Sequence, residues 1–213
     1  MTAGAVTAYA ALEARFRKAG LVNEALAMLR WDSSVVMPAG SAAARAEQVA
    51  GLELIAHETL TAPDMGDLLE KARAEALDEW QAANLREMRR RWVHAAALEP
   101  RLVEARSKAC AQSEMVWREA RAKSDFRLLQ PFLQIVLDLT REAGQAKAAA
   151  LGCPLYDALL DEYEPGGQAG RIDALFAELE AFLPTLLREA LETQNRRGPP
   201  LAFEGPFPIE AQR

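Results

Sequence analysis

The chain has 213 residues, half of them apolar, with a formal net charge of −6 and an isoelectric point near 5.2. This length allows a sizeable buried core, and because the basic residues are scattered among more numerous acids, no nucleic-acid partner is expected. Residues 1–20 lack the regions of a secretory signal and no apolar run is long enough to span a membrane, so we expect a cytoplasmic protein with no membrane partner. Cys110 and Cys153 stand in no metal-ligand spacing, which predicts reduced, buried thiols.

Apolar residues recur at helical spacing along almost the whole chain, and this pattern predicts an all-α class. The first predicted joint lies between two helices. Trp31-Asp32 is expected to end one helix, Met37-Pro38 to form the connection, and Arg45 and Gln48 to lie one turn apart on the next helix. We expect Asp32 to bind Arg45 or the free amides of that helix, with the Trp31 ring covering the corner. A structural joint is favoured over a substrate contact.

Three helix starts are predicted farther along the chain. Thr61-Ala62-Pro63-Asp64 has the spacing of a capping box and predicts a short helix through Leu68 and Leu69. Glu99-Pro100 predicts a cap followed by a first turn. Ser124-Asp125 predicts a start that tolerates Pro131 close behind it.

Apolar stripes predict which helix faces are buried. The stripes are Leu85, Met88, Trp92 and Ala96; Leu128, Leu129, Phe132, Leu133, Val136 and Leu137; and Ile172, Leu175, Phe176, Leu179, Phe182, Leu183, Leu186, Leu187, Ala190 and Leu191. Pro184 inside the third stripe predicts a kink or a break. Residues 164–170 predict a Gly/Pro turn, and Leu201, Phe203, Phe207 and Ile209 among the last prolines are expected to be buried. Arg89-Arg90-Arg91 is interpreted as a solvated face.

The sequence shows no complete catalytic constellation. A zinc peptidase helix needs the pattern H-E-x-x-H, but His57-Glu58 is followed by Thr61 where the second histidine belongs, and His94 is the only other histidine. His57 is therefore rejected as a zinc ligand. Asp161, Glu162 and Glu164 are interpreted as capping or solvated acids rather than as an acid-base pair.

Several short motifs follow one another in a characteristic order. They are Leu29-x-Trp31-Asp32, Met37-Pro38-x-Gly40, Arg45-x-x-Gln48, Leu52, His57-Glu58, Thr61-x-Pro63, Ser124-Asp125-Phe126, Pro131, the run from Tyr156-Asp157 to Pro165-Gly166, and Gly205-Pro206-Phe207. In this combination the chain resembles the N-terminal part of the thermostable carboxypeptidase Taq family, zinc-dependent enzymes that remove residues from peptide C-termini.

The resemblance implies a two-lobed, groove-containing metallopeptidase fold in which long antiparallel helices form one lobe. It implies an N-terminal lobe over residues 1–195 and a Pro-rich connector over 196–213 that leads into a missing catalytic lobe. Zinc or cobalt, the catalytic residues and the metal ligands would lie in that missing lobe, and none is placed on this chain. Tyr163 and Glu164 are candidate groove-lining residues, after the long helices around Trp92 and Trp117. The structural signature comprises Trp31, Asp32, Met37, Pro38, Arg45, Gln48, Tyr156, Asp157, Pro165 and Gly166.

Two functional hypotheses follow. In the first, the chain is the non-catalytic lobe of a metallocarboxypeptidase, cut inside a larger and homodimeric protein, and is inactive on its own. The complete enzyme would take a peptide substrate. In the second, the chain is a stand-alone helical module that binds a partner helix or itself and has no enzymatic activity. It would bind through apolar surface left uncovered without the catalytic lobe, which is expected to include Leu201, Phe203, Phe207 and Ile209.

Overall fold

The computed structural model describes residues 6–197 and 202–212. Over these ranges the chain forms α-helices and a short 3₁₀ turn but no strand, which confirms the all-α class. The helices are α1 (Ala8–Val35), α2 (Ala42–Leu60), α3 (Met65–Arg73), α4 (Glu79–Ala96), α5 (Pro100–Lys123), α6 (Phe126–Leu151), α7 (Leu155–Leu160), α8 (Ala169–Arg196) and α9 (Ile209–Gln212). No helix in the described ranges is long and apolar enough to cross a membrane.

The chain divides into two compact units, one ending at Gly166 and one beginning at Gly167. In the first unit α1 packs against α2, α2 against α5, α5 against α6, and α6 against α7. Helix α3 lies against α1 and α4. The second unit contains α8 and α9. The predicted boundary between a lobe and a connector at residues 195 and 196 stays a prediction.

The apolar core of the first unit lies where α1, α3 and α4 meet. Leu12, Met65 and Leu69 are at most 1% exposed, and Tyr9 and Met88 close the cluster from α1 and α4. Leu85 and Trp92 pack against it, which confirms that this stripe of α4 faces a core. Burial of each such side chain stabilises the fold by about 1.5–3 kcal/mol.

The N-terminus of α1 is capped by both a local and a distant side chain. Thr7 Oγ1 accepts a hydrogen bond from the Ala10 amide at 3.2 Å. The Glu75 carboxylate, which follows α3, accepts from the amides of Ala8 at 2.6 Å and Tyr9 at 3.3 Å. A carboxylate at this position satisfies free amides and complements the positive end of the helix dipole.

Two of the three predicted helix starts are confirmed. Glu99 is the N-cap of α5 with Pro100 in the first turn, and Asp125 is the N-cap of α6, where its carboxylate accepts from the Arg127 amide at 3.0 Å. Helix α6 continues through Pro131.

The predicted capping box at Thr61 is wrong. Thr61 ends α2 instead, because its hydroxyl donates to the His57 carbonyl at 2.9 Å, and α3 begins only after Asp64. A capping box does occur at the start of α4, where Asp78 accepts from the Gln81 amide at 2.8 Å and the Gln81 side chain accepts from the Asp78 amide at 3.1 Å.

Gly144 allows α7 to approach α6 closely. A Cβ at this position would lie 3.0 Å from the Leu155 side chain and 3.3 Å from that of Leu159. Gly144 and Ala158 are both buried in this contact. A larger residue at 144 would therefore push α7, and the segment that follows it, away from α6.

Several burial predictions are wrong. Cys110 is exposed and Cys153 is half-buried, because Cys110 lies on a cavity-lining face of α5 rather than in a packed seam. In the second unit α8 runs without a break through Pro184 and has no buried residue, so its apolar stripe does not face a core. Phe203 is 92% exposed, and Phe207 and Ile209 are also exposed, which agrees with the expectation that these residues form apolar surface left uncovered when a catalytic lobe is missing. Leu201 lies outside the described residues.

Candidate functional site

The joint between α1 and α2 is held by one arginine. Arg45 Nη1 lies 2.5 Å from Asp32 Oδ2 and donates to the Leu29 carbonyl at 3.0 Å, while Arg45 Nε donates to Gln48 Oε1 at 3.0 Å. The predicted Asp32–Arg45 pair is thus confirmed. Two details are wrong: α1 continues past Trp31 to Val35, and the Trp31 ring is 55% exposed, so it does not cover the corner.

A cavity of about 900 Å³ opens beside this joint within the first unit. Its apolar wall includes Leu26, Met37, Val49, Leu98 and Met115. The basic lining residues are Arg30, Arg45, Arg90, Arg91, Arg106, Arg118 and Lys147, and the acidic ones are Glu53, Glu114 and Glu162. The cavity therefore carries more cationic than anionic lining groups, although the chain as a whole is acidic.

Ion pairs occupy most of these arginines. Arg30 pairs with Glu53, and Arg118 pairs with Glu114 at 2.5 Å and donates to the Ser33 carbonyl at 3.0 Å. Arg106 is half-buried and has neither an ion pair nor a hydrogen-bond acceptor for its side chain within the part of the chain that the structure describes. It is therefore a free cation in the cavity wall.

Asp161 organises the floor of the cavity, which we define as the lining residues His94, Arg106, Lys147 and Glu162 together with Asp161, which contacts His94 from behind the lining. The Asp161 carboxylate contacts His94 Nε2 at 2.6 Å and accepts from the Gly166 amide at 2.7 Å. Arg90 Nη1 donates to the Asp161 carbonyl at 2.6 Å and lies 3.5 Å from its carboxylate. Arg90 thus leaves the predicted solvated face and points inward.

Hydrogen bonds keep Asp161 ionised. Burial alone would raise the pKa of its carboxyl, but the Gly166 amide, His94 and the charge of Arg90 together lower that pKa below its usual value. An ionised carboxylate only accepts hydrogen bonds, so His94 Nε2 carries the proton in this contact. The other ring nitrogen, Nδ1, is buried without a hydrogen-bond partner.

The most buried cation of the floor is Lys147. Its ammonium forms an ion pair with the Glu162 carboxylate, and its side chain is only 5% exposed. Burial and the nearby charge of Arg106 lower the pKa of Lys147 to about 8. Glu162 Oε1 also lies 3.8 Å from His94 Nδ1, beyond hydrogen-bond distance.

His57 faces the same cavity from α2. Its ring is 8% exposed, and burial lowers the pKa of the imidazole despite the charge of Glu58. No group of three or more histidine, cysteine, aspartate or glutamate side chains in residues 6–197 and 202–212 is arranged to hold a metal ion. The residues present therefore do not fit a zinc site of three or four protein ligands.

The candidate groove residues lie outside this cavity. Tyr163 is 87% exposed and Glu164 is also exposed. Among the signature residues at this end, Tyr156, Pro165 and Gly166 are exposed and Asp157 is half-buried. Sequence reasoning treated Asp161 and Glu162 as capping or solvated acids, and the Gly166 contact fits capping, but the cross-helix partners His94 and Lys147 were missed. No local pattern links residues so far apart in the chain.

Comparisons with known proteins agree with one another. The family model for the carboxypeptidase Taq (M32) metallopeptidases matches residues 11–213. Thermostable carboxypeptidase 1 of Thermus thermophilus is 35% identical over 198 residues, which cover 88% of this chain and 39% of that protein.

Solved structures show the same relationship. Metallocarboxypeptidase 1 of Trypanosoma cruzi superposes with a TM-score of 0.77 at 37% identity, covering 95% of this chain and 41% of that one. The carboxypeptidase of Pyrococcus furiosus gives a TM-score of 0.71 at 30% identity, with 88% and 37% covered. This chain thus spans about two fifths of the length of the relatives it matches.

Proposed function

The chain belongs to the carboxypeptidase Taq (M32) metallopeptidase family, and from this premise we propose that it forms the N-terminal, non-catalytic lobe of a zinc-dependent carboxypeptidase. The complete enzyme releases C-terminal residues from peptides. Zinc or cobalt binds in the part of the relatives that this chain does not span, and Tyr163 and Glu164 line the substrate groove. The 213-residue chain alone is inactive.

The observation that carries this proposal has two parts: the chain covers only part of its relatives, and it lacks the histidine pattern that binds zinc. Nearly the whole chain superposes on about two fifths of a metallocarboxypeptidase. Its two histidines, His57 and His94, stand in no H-E-x-x-H pattern, and hydrolysis by a metallopeptidase of that type needs the pattern for its metal and its base.

Exposed apolar surface supports a larger assembly. Around α6 the exposed apolar residues are Phe126, Leu128, Leu133, Ile135 and Leu137, each at least 37% exposed. Large apolar surfaces of this kind are typical of contacts with other protein. We propose that the remainder of a cytoplasmic, homodimeric enzyme covers them.

The test is an assay of the purified chain with zinc or cobalt and a dipeptide blocked at its N-terminus. We expect no metal-dependent release of the terminal residue, whereas the full-length Thermus thermophilus relative assayed in parallel serves as the positive control. Release by the 213-residue chain that disappears with a chelator would overturn the claim that it is inactive.

The same apolar surface supports a second candidate function, a stand-alone helical module that binds a partner helix or a second copy. This candidate predicts self-association or binding of a hydrophobic dye by the purified chain. A monodisperse monomer that binds no dye in light scattering and fluorescence measurements would count against it.

A further inference from the structure

Helix α5 presents two neighbouring hydrogen-bond donors to the cavity, and the proposed peptidase role uses neither. Arg106 and Ser107 both line the cavity, and both are half-buried. Because they are consecutive residues, their Cα atoms lie about 3.8 Å apart, and their side chains leave the same turn of the helix. Within residues 6–197 and 202–212, neither side chain has a hydrogen-bond acceptor.

These donor atoms are accessible as well as unpaired. In the part of the chain that the structure describes, His94 Nδ1 is the one side-chain nitrogen or oxygen of a non-exposed residue that lacks both accessible surface and a hydrogen-bond partner. The Arg106 guanidinium and the Ser107 hydroxyl therefore keep accessible surface. A molecule in the cavity can reach both groups without a rearrangement of the wall.

The cavity wall supplies no free anion for Arg106. Each acidic residue in the described lining is already paired with another cation: the pairs are Glu53 with Arg30, Glu114 with Arg118, and Glu162 with Lys147. An anionic partner for Arg106 therefore has to come from outside this wall. A carboxylate is the complementary group, because the planar guanidinium donates two parallel hydrogen bonds to it.

Apolar side chains border these donors on several helices. Val103 lies one turn before Arg106 on α5, and the wall continues through Leu26, Val49, Leu60, Leu98 and Met115. The cavity volume of about 900 Å³ lies within the range of small-molecule sites, which combine an apolar lining with a few placed polar groups. This lining favours a molecule with an uncharged carbon body.

We propose that the cavity binds an amphipathic monocarboxylate, whose carboxylate accepts hydrogen bonds from Arg106 and Ser107 and whose aliphatic body packs on the apolar wall. A single negative charge matches the single half-buried cation that the wall leaves unpaired. The site does not depend on the proposed peptidase role, because it is detected by binding to this chain and not by hydrolysis.

Methionine methyl groups report on the cavity directly. Met37 and Met115 line it, whereas Met65 and Met88 belong to the apolar core between α1, α3 and α4. With isotope-labelled methionine, titration of the 213-residue chain with octanoate is expected to shift the first two methyl resonances saturably. The resonances of the two core methionines are expected to stay in place.

Two further probes separate the head group from the carbon body in the wild-type chain. Octylammonium has the same body with the opposite charge, and we expect no saturable shift because its head group is repelled by Arg106. Acetate has the same head group without the body, and it is expected to bind at least about tenfold more weakly than octanoate, because it buries little apolar surface.

Two unpaired arginines of the cavity provide the variant and its control. Arg106→Gln is expected to weaken octanoate binding at least about tenfold, since a hydrogen bond to a charged group is lost. Ser107→Ala removes a neutral donor and is expected to weaken binding about threefold. Arg91→Gln removes a lining cation that is exposed to solvent, and it is expected to leave the affinity nearly unchanged. Equal melting temperatures confirm that the variants are folded.

Each outcome supports or overturns the site. Saturable shifts of Met37 and Met115 that need both Arg106 and the negative head group support it. Shifts that do not saturate, that octylammonium reproduces, or that persist in Arg106→Gln would overturn it. An equal loss of affinity in Arg91→Gln and Arg106→Gln would overturn the assignment of Arg106 and indicate a general effect of the positive wall.

Discussion

Helix α4 contributes to two buried regions that are built on different principles. Met88 on this helix closes the apolar core around Leu12, Met65 and Leu69. One and a half turns later His94, equally buried at 8% exposure, joins Asp161 in the cavity floor. The stability of the first region depends on shape and buried apolar area, and that of the second depends on the ion pairs and hydrogen bonds of its most buried polar groups. The same degree of burial therefore reflects apolar packing at Met88 and contacts between polar groups at His94.

The largest effect is expected from removing core volume. Leu69→Ala is expected to destabilise the protein by about 2–5 kcal/mol, because Leu69 is 1% exposed and its loss leaves a cavity beside Met65. Chemical denaturation followed by circular dichroism measures this as a shift of the midpoint at constant slope.

The matched control is Ile135→Ala on α6, where the side chain is 51% exposed. Its effect is expected to stay within about 0.5 kcal/mol. If the two variants lost equal stability, the distinction between the packed core and the exposed face of α6 would be wrong.

An intermediate effect on stability is expected from removing the carboxylate that pairs with Lys147 in the cavity floor. Glu162→Gln leaves the Lys147 ammonium buried without its carboxylate, and we expect a loss of about 2 kcal/mol near neutral pH, reduced because Glu162 is 31% exposed. Since the pKa of Lys147 is lowered to about 8, the loss is expected to shrink above that pH, where the amine is neutral.

Denaturation curves on both sides of pH ~8 test this dependence. Glu119→Gln, which breaks the exposed pair with Lys123, is the control and is expected to leave the denaturation midpoint nearly unchanged at both pH values, because solvent screens an exposed ion pair. A loss from Glu162→Gln that is the same at both pH values would contradict the assignment of Lys147 as the unpaired charge.

The smallest effect is expected from Asp161→Asn, about 1 kcal/mol at neutral pH through weaker bonds to His94 and Arg90. The folded-state pKa of Asp161 lies below its unfolded value, so the unfolded chain takes up the proton first as the pH falls. The stabilisation is therefore present above the unfolded pKa and is lost as the pH falls through the folded pKa.

Measuring the stability of the wild type and of Asp161→Asn at several acidic pH values tests the direction of this pH dependence. The stability difference between wild type and Asp161→Asn is expected to be constant near neutrality and to decline in acid. A difference that grows in acid would mean that burial, and not hydrogen bonding, dominates the pKa of Asp161.

Periodicity and local chemistry predicted the fold class and part of the site. The stripe on α4, the start of α5 at Glu99-Pro100 and the Asp32–Arg45 pair all follow from residues close in sequence. Thr61 was misassigned because a threonine hydroxyl caps a helix N-terminus or donates to a carbonyl one turn back with equal ease. Both alternatives fit the same four residues.

What sequence reasoning missed is non-local. The contacts of Lys147 with Glu162 and of His94 with Asp161 require α4, α6 and the segment after α7 to meet, and no periodicity encodes that meeting. The apolar stripe on α8 predicted the helix correctly but did not predict that the helix is exposed. An apolar face indicates that another surface covers it, but it does not identify that surface.

The Glu75 cap on α1 has a consequence for the order of folding. Thr7 caps the Ala10 amide locally, but the amides of Ala8 and Tyr9 donate to a carboxylate that comes from beyond α3. These two amides therefore gain their partner only after a loop of more than sixty residues has closed. The first turn of α1 is accordingly expected to become stable late in folding, after the middle of the helix has packed against α3. Its first residues are expected to exchange amide hydrogens sooner than the residues around Leu12.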